Sequence, residues 1–195
     1  MEDSQAKHAV QRQCGQAIRR LKLGDMGGLE CLIDCYQQKA LRVAFLITHD
    51  EPMAEDIVQD VFVRFYERVD RFDETRPFEP YFLRCVVNAA LKRLEREKNG
   101  TSFTHADTSE LENLLEEAAS VEEQVEFKSL EWQIKECLEE LSPRQRAVVV
   151  QRYYLEMSER EIAEALASPP GTVKWLLNAA RARLRVLLGS ERMAE

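Results

Sequence analysis

The sequence predicts an all-α protein, with two small helical domains joined by a flexible acidic linker. Three observations point there. Apolar residues recur three or four apart through stretches rich in Ala, Leu, Glu, Gln and Arg, which favour helix. Seven Gly and six Pro in 195 residues are too few for the many turns of an all-β chain. Charge is also segregated. Residues 106–140 hold twelve Asp or Glu against two Lys, a local net of −10. Residues 166–190 hold four basic residues and no acid, a net of +4, while residues 1–105 nearly balance at sixteen basic and seventeen acidic. The overall charge of −8 conceals this pattern, and the pattern is what selects partners.

The first domain is read over residues 5–98. Leu29 to Thr48 is a helical pattern, with Leu32, Tyr36, Leu41, Ala44 and Phe45 along it. His49-Asp50-Glu51-Pro52 breaks it, and Pro52 stands where the next helix can start, with acids in its first turn. In that helix Ile57, Val58, Val61, Phe65 and Val69 form an apolar stripe. Glu55, Asp56, Gln59 and Asp60 form the opposite face, flanked by Phe62 and Tyr66, which a lone amphipathic helix does not need there. Arg71 to Arg76 is a polar loop closed by Pro77. A third helix runs from Phe78 or Pro80 to about Lys98, apolar early and basic late at Lys92, Arg93, Arg96 and Lys98. Residues 1–23 are helix-compatible and otherwise mute.

Residues 99–126 read as the acidic tether, a solvated spacer with one short helix. The second domain is read over 127–190. Ser142-Pro143-Arg144-Gln145 offers an N-cap Ser, Pro at the first helical position and Gln three after the cap. That helix is expected to reach about Leu155. Ser158 and Glu161 form a second capping box and open a short helix that ends near Ser168-Pro169-Pro170, before Gly171 leads into a last helix. Medium helix, short helix, tight turn and longer helix spell a helix-turn-helix. In the last helix Val173, Leu176, Leu177, Ala180, Leu184 and Leu187 should face Ile162, Ala163 and Leu166. Lys174, Asn178, Arg181 and Arg185 line the outer face with Trp175 beside them. Lys and Arg there suit phosphates and guanine edges, and Asn suits adenine.

Two blocks extend this reading. AEDIVQDVFVRFYERVDRFD with PFEPYFLRCVVNAALKRLER, then LEELSPRQRAVVVQRYYLEMSEREIAEAL with GTVKWLLNAARARLRVLL, resemble regions 2 and 4 of the bacterial sigma factors of the extracytoplasmic-function group, in the sigma-70 family. The resemblance spans about Gly24 to Leu188. It implies an alternative sigma factor that binds core RNA polymerase and directs promoter-specific initiation. The implied sites follow. Glu55, Asp56, Gln59, Asp60, Phe62 and Tyr66 would meet the clamp helices of the large polymerase subunit. Arg71, Phe72, Arg76, Tyr81, Arg84, Asn88, Lys92, Arg93 and Arg96 would meet the −10 element and its melted strand. Phe72, Phe78 and Tyr81 are the rings available to stack a base, at about 1–3 kcal/mol each, though each is also of a type that fills cores. Thr172, Lys174, Trp175, Asn178, Arg181 and Arg185 would meet the −35 element, with the polymerase flap as a further contact. The resemblance also implies an anti-sigma factor, often membrane-bound in this group. It implies a cytoplasmic chain, nucleoid-associated when active and held at the inner membrane by such an inhibitor.

The sequence departs from the family at several places. Tyr81 stands where the family usually carries Trp, and Lys92 where it often has Asp. Trp175 replaces a usual Ser, and Leu176 and Ala179 replace two usual Arg. Fewer phosphate contacts predict weaker, less salt-sensitive −35 binding.

No catalytic residues, cofactor, metal or small-molecule substrate are expected. There is no Gly-rich phosphate loop, metal-spaced cluster or nucleophile–base signature. Cys31 and Cys35 share a helix face, but the five Cys are better read as small buried hydrophobes. No run of about 18 apolar residues could cross a membrane, and the N-terminus lacks the apolar core of a signal peptide. Two other readings stay open: a helix-turn-helix regulator whose first lobe dimerises or senses a ligand, and a helical adaptor. Loop aromatics followed by a basic helix at 71–98 separate the first from a sigma factor. Four polar and basic residues on one face of the last helix speak against the second.

Overall fold

The computed structural model describes residues 2–99 and 136–191, and no strand occurs among them. The acidic tether and the first part of the second domain, including all but three of the twelve acids of 106–140, lie outside the described residues. The described residues divide into two compact units. The first draws on the chain up to Phe45 and on Pro52–Ala90, the second on Leu46–Glu51 and on the chain from Leu91.

The first unit begins with a helix, α1 (Glu2–Lys22), that the periodicity left mute. Its buried stripe is Cys14, Ala17, Ile18 and Leu21. Gly24, at φ 86°, reverses the chain into α2 (Gly27–Thr48). The two helices approach closely at Gly28, where a Cβ would lie 2.3 Å from the Ala17 carbonyl oxygen. His49 at φ 54° separates α2 from α3 (Glu51–Tyr66), which starts one residue before Pro52. A 3₁₀ turn (Val69–Arg71) and an extended Phe72 lead through the loop to α4 (Phe78–Asn99). Ile57, Val58, Val61, Phe65 and Val69 are all buried, as their spacing predicts. An aromatic cluster fills the centre: Phe62 against Phe82 (4.5 Å between ring centroids), Phe65 against Phe78 (4.8 Å) and Phe72 against Tyr81 (5.0 Å). Edge-on and tilted pairs at such distances gain quadrupole attraction beyond burial.

In the second unit both capping boxes form. Ser142 accepts from the Gln145 amide at 3.4 Å and its own amide donates to Gln145 Oε1 at 3.0 Å, opening α5 (Pro143–Val149). Ser158 and Glu161 do the same for α6 (Glu159–Ala165). The helix expected to reach Leu155 stops being α-helical at Val149 and continues as a π turn (Val150–Tyr154), closed by a bond from the Leu155 amide to the Val150 carbonyl. The turn after α6 places Ala167 at φ 47°, while the Ser168 amide returns to the Ala163 carbonyl at 2.9 Å. The last helix, α7, runs Pro170–Glu191 and so starts at Pro170, one residue before Gly171. Proline there loses nothing, because the first helical amide has no partner within the helix. Val173, Leu176 and Leu177 pack with Val148, Ile162 and Ala163, and Leu166 lies against them. Ala180 and Leu184 pack instead with Leu138, Leu141 and Val149.

Candidate nucleic-acid and protein-docking faces

On α3 the helical pitch separates two faces. Glu55, Asp56, Gln59, Asp60 and Tyr66 are exposed together. Asp60 pairs with Arg64 one turn on, at 3.0 Å. Phe62 is not part of this surface. It is only 5% exposed and packs at a tilt against Phe82, so it fixes α3 to α4 rather than offering a ring to a partner. Val63 takes the surface position instead, 54% exposed, one turn after Gln59 and beside Tyr66. The result is an acidic patch that ends in two apolar side chains.

The loop after the 3₁₀ turn is held by its own side chains. Asp73 Oδ1 accepts from the Thr75 amide at 3.0 Å and from the Thr75 hydroxyl at 2.6 Å, which holds the Asp73 carboxyl below its usual range. Arg76 pairs with Asp73 at 3.4 Å. Phe72 and Phe78 are buried in the aromatic cluster, so neither offers a face for stacking. Tyr81 does. It is 42% exposed while its edge rests on Phe72 and Phe65. Arg71 and Arg76 are also exposed. Tyr81, Arg84, Asn88, Lys92 and Arg96 then follow at helical spacing along α4, all exposed, with Arg93 one position off that row and paired to Glu97 at 3.6 Å.

On α7 the outer face carries Thr172, Lys174, Trp175, Asn178 and Arg185, all exposed, and a half-buried Arg181. Trp175 is 66% exposed. Arg181 is organised from outside its helix. Its Nε donates to the Tyr153 hydroxyl at 2.8 Å, its guanidinium lies 5.9 Å from the centre of the Tyr153 ring, and its Nη1 donates to Asn178 Oδ1 at 3.4 Å. Sequence reasoning missed Tyr153 because the π turn inserts a residue and breaks the 3.6 period that would have placed it. Leu176, where the family usually carries Arg, is buried in the core, so that position cannot reach a phosphate here. Arg183 points elsewhere and pairs with Glu140 at 2.6 Å.

The cysteines are all free. Cys14 and Cys137 are buried, while Cys31, Cys35 and Cys85 are half-buried. Cys14 donates to the Tyr36 hydroxyl at 2.9 Å, and burial pushes its thiol up to about 11. Among the described residues, no three His, Cys, Asp or Glu gather as a metal would need. None of the described helices is long and apolar enough to cross a membrane.

Residues 32–100 match the family described as Sigma-70 region 2, and residues 131–184 the family described as Sigma-70, region 4. The chain is 32% identical over 167 residues to the RNA polymerase sigma-E factor of Streptomyces avermitilis, covering 86% of this chain and 88% of that one. The chain belongs to the sigma-70 family, in its extracytoplasmic-function group. It is also 29% identical over 174 residues to the ECF RNA polymerase sigma factor SigW of Bacillus subtilis, covering 86% of this chain and 92% of that one. Two solved structures share the fold of this sigma-family chain. One is CnrH in complex with the cytosolic domain of CnrY (TM-score 0.61, 21% identity, 91% of this chain and 98% of that one). The other is the sigma factor RpoE in complex with the anti-sigma factor NepR from Bartonella quintana (TM-score 0.60, 17% identity, 82% and 96%).

Proposed function

We propose that the chain is an alternative sigma factor, a dissociable subunit that binds core RNA polymerase and directs it to promoters by recognising −35 and −10 elements and helping to melt DNA. It is not an enzyme; catalysis belongs to the polymerase. The observation that carries this is the order of three faces: the acidic patch of α3, the loop and basic row of α4, and the helix-turn-helix ending in α7. A regulator with a dimerising or sensing lobe would need the last face alone, and the match to region 2 does not favour that alternative.

The assignments follow from surface chemistry. Glu55, Asp56, Gln59, Asp60, Val63 and Tyr66 dock the clamp helices, the acids steering and the two apolar side chains filling. Tyr81 stacks an unpaired base, while Arg71, Arg76, Arg84, Asn88, Lys92, Arg93 and Arg96 track the −10 strand. Phe72 supports Tyr81 from beneath. Thr172, Lys174, Trp175, Asn178, Arg181 and Arg185 meet the −35 duplex. The domains are taken as 5–98 and 127–190, joined by an acidic linker over 99–126. The chain works in the cytoplasm and is held inactive by an anti-sigma factor, as one solved relative is bound in its crystal. The test is transcription by reconstituted holoenzyme from a promoter library randomised at both elements. Enrichment of paired −35 and −10 sequences is expected; transcripts no different from core enzyme alone would overturn the reading.

A further inference from the structure

The α1 helix has a second face, and it is turned on the loop of residues 72–77. Beside its buried stripe, Gln11, Gly15, Arg19 and Lys22 recur at spacings of four, four and three, which places them along one side of a helix. Lys22 Nζ donates to the Phe72 carbonyl at 2.9 Å and pairs with Glu74 Oε1 at 2.9 Å. Arg19 Nε donates to Glu74 Oε2, also at 2.9 Å. Each oxygen of Glu74 therefore holds one cation of α1. Lys22 is 23% exposed and Glu74 30%, so the Lys22 arm of the clasp is partly shielded, whereas Arg19, at 71%, holds its arm in solvent. Between helix and loop lies an open cleft lined by Gln11, Gly15, Thr75, Arg76 and Pro77. A Cβ on Gly15 would meet no atom within 4 Å. Its missing side chain keeps the cleft clear.

We infer that α1 is part of the −10-reading machinery, with Glu74 a positioning residue that holds the loop ready for single-stranded DNA and Gly15 keeping open the cleft that receives it. The inference rests on the sigma-factor reading. Two physical needs point the same way. A carboxylate in a loop that meets DNA repels phosphate; with Arg19 and Lys22 against Glu74, the group sums to +1 (two cations less one anion). A loop fixed in advance also loses less conformational freedom when the strand arrives. Asp73, Thr75 and Arg76 order the loop from within and Phe72 anchors its start in the aromatic cluster, while the clasp ties Glu74 to α1.

The test uses full-length protein with core polymerase and a promoter library randomised separately at the −10 and −35 positions. Glu74→Gln removes the charge that the two cations hold. Gly15→Leu replaces a poor helix former with a good one, so it should not harm α1, yet it fills the cleft. Both variants are expected to keep their co-elution with core and their −35 preference; Gly15→Leu should hold or raise the melting temperature, and Glu74→Gln should lower it only slightly, as loss of a largely exposed ion pair does. Both should lose −10 base preference, with output down about two- to fivefold, the scale of a surface ion pair. Wild-type −10 preference in both variants overturns the proposal. So does a uniform loss at every sequence with a lower melting temperature, which would mark Glu74 as merely structural. If wild type itself shows no promoter preference, the sigma-factor reading fails first and the proposal falls with it.

Discussion

Gly28 and Gly15 sit in neighbouring helices and have opposite reasons to be glycine. At Gly28 a Cβ would lie 2.3 Å from the Ala17 carbonyl oxygen and 2.9 Å from the Leu21 amide nitrogen, both backbone atoms that cannot yield without parting α1 from α2. Gly28→Ala is expected to destabilise the first unit by about 1–3 kcal/mol, the usual scale of overpacking. Gly15→Ala should be neutral or raise stability by up to about 1 kcal/mol through helix propensity. Thermal melting of the two variants side by side checks both signs. Tyr153 makes a second prediction at this scale. Tyr153→Phe keeps the ring under Arg181 and removes the hydroxyl that accepts from it. Duplex −35 binding should weaken about two- to tenfold, the net scale of one ordinary hydrogen bond. Arg181→Ala in the Tyr153→Phe background should then cost less than in wild type. Titration of labelled duplex, arranged as a double-mutant cycle, reads this; additive losses would mean that Tyr153 acts alone.

At the scale of elements, the caps are what the sequence announces most plainly. Ser142, Pro143 and Gln145 fix where α5 starts, and Ser158 with Glu161 fixes α6, because each pair satisfies amides that no helix can satisfy internally. Ser142→Ala should cost about 1 kcal/mol, read as a lower melting temperature of the second unit. The Ser158 hydroxyl and amide both donate to Glu161 and hold its carboxyl below the ordinary 4.5. A lowered carboxyl stabilises the fold at neutral pH, and that contribution fades as pH falls below about 4.5. Glu74 is shifted the same way from 4.5 and Asp73 from 3.8, so acid loosens the loop of residues 72–77 first at Glu74 and then, at lower pH, at Asp73. Melting curves from pH 7 to 3 should show this fall, and Glu161→Gln should flatten it. Elements that depend on distant partners were less legible. The apolar stripe of α1 consists of small or few residues, Cys14, Ala17, Ile18 and Leu21, so its periodicity is faint although all four are buried. Phe62 lies at the edge of the acidic face by sequence, and only the arrival of Phe82 from α4 makes it core. The π turn has no signature in the chain, and with it went Tyr153.

For the whole molecule, charge order along the chain maps onto three surfaces of different chemistry. The acidic face of α3 suits a basic protein surface, whereas the basic rows of α4 and α7 suit nucleic acid, single-stranded and duplex in turn. Two-domain organisation and the identity of the helix-turn-helix were readable because capping and periodicity are local. Which aromatic ring faces solvent was not, because Phe72, Phe78 and Tyr81 differ only in tertiary packing. On the proposed function, the α3 face binds polymerase. Purified protein should be mixed with sigma-free bacterial core RNA polymerase and resolved by size, beside a variant carrying Asp56→Lys, Asp60→Lys and Val63→Glu, which leaves the buried stripe untouched. Wild type should co-elute with core, and the variant, equally folded, should not. Wild type that elutes apart from core, as a dimer that still shifts duplex DNA, would contradict that function.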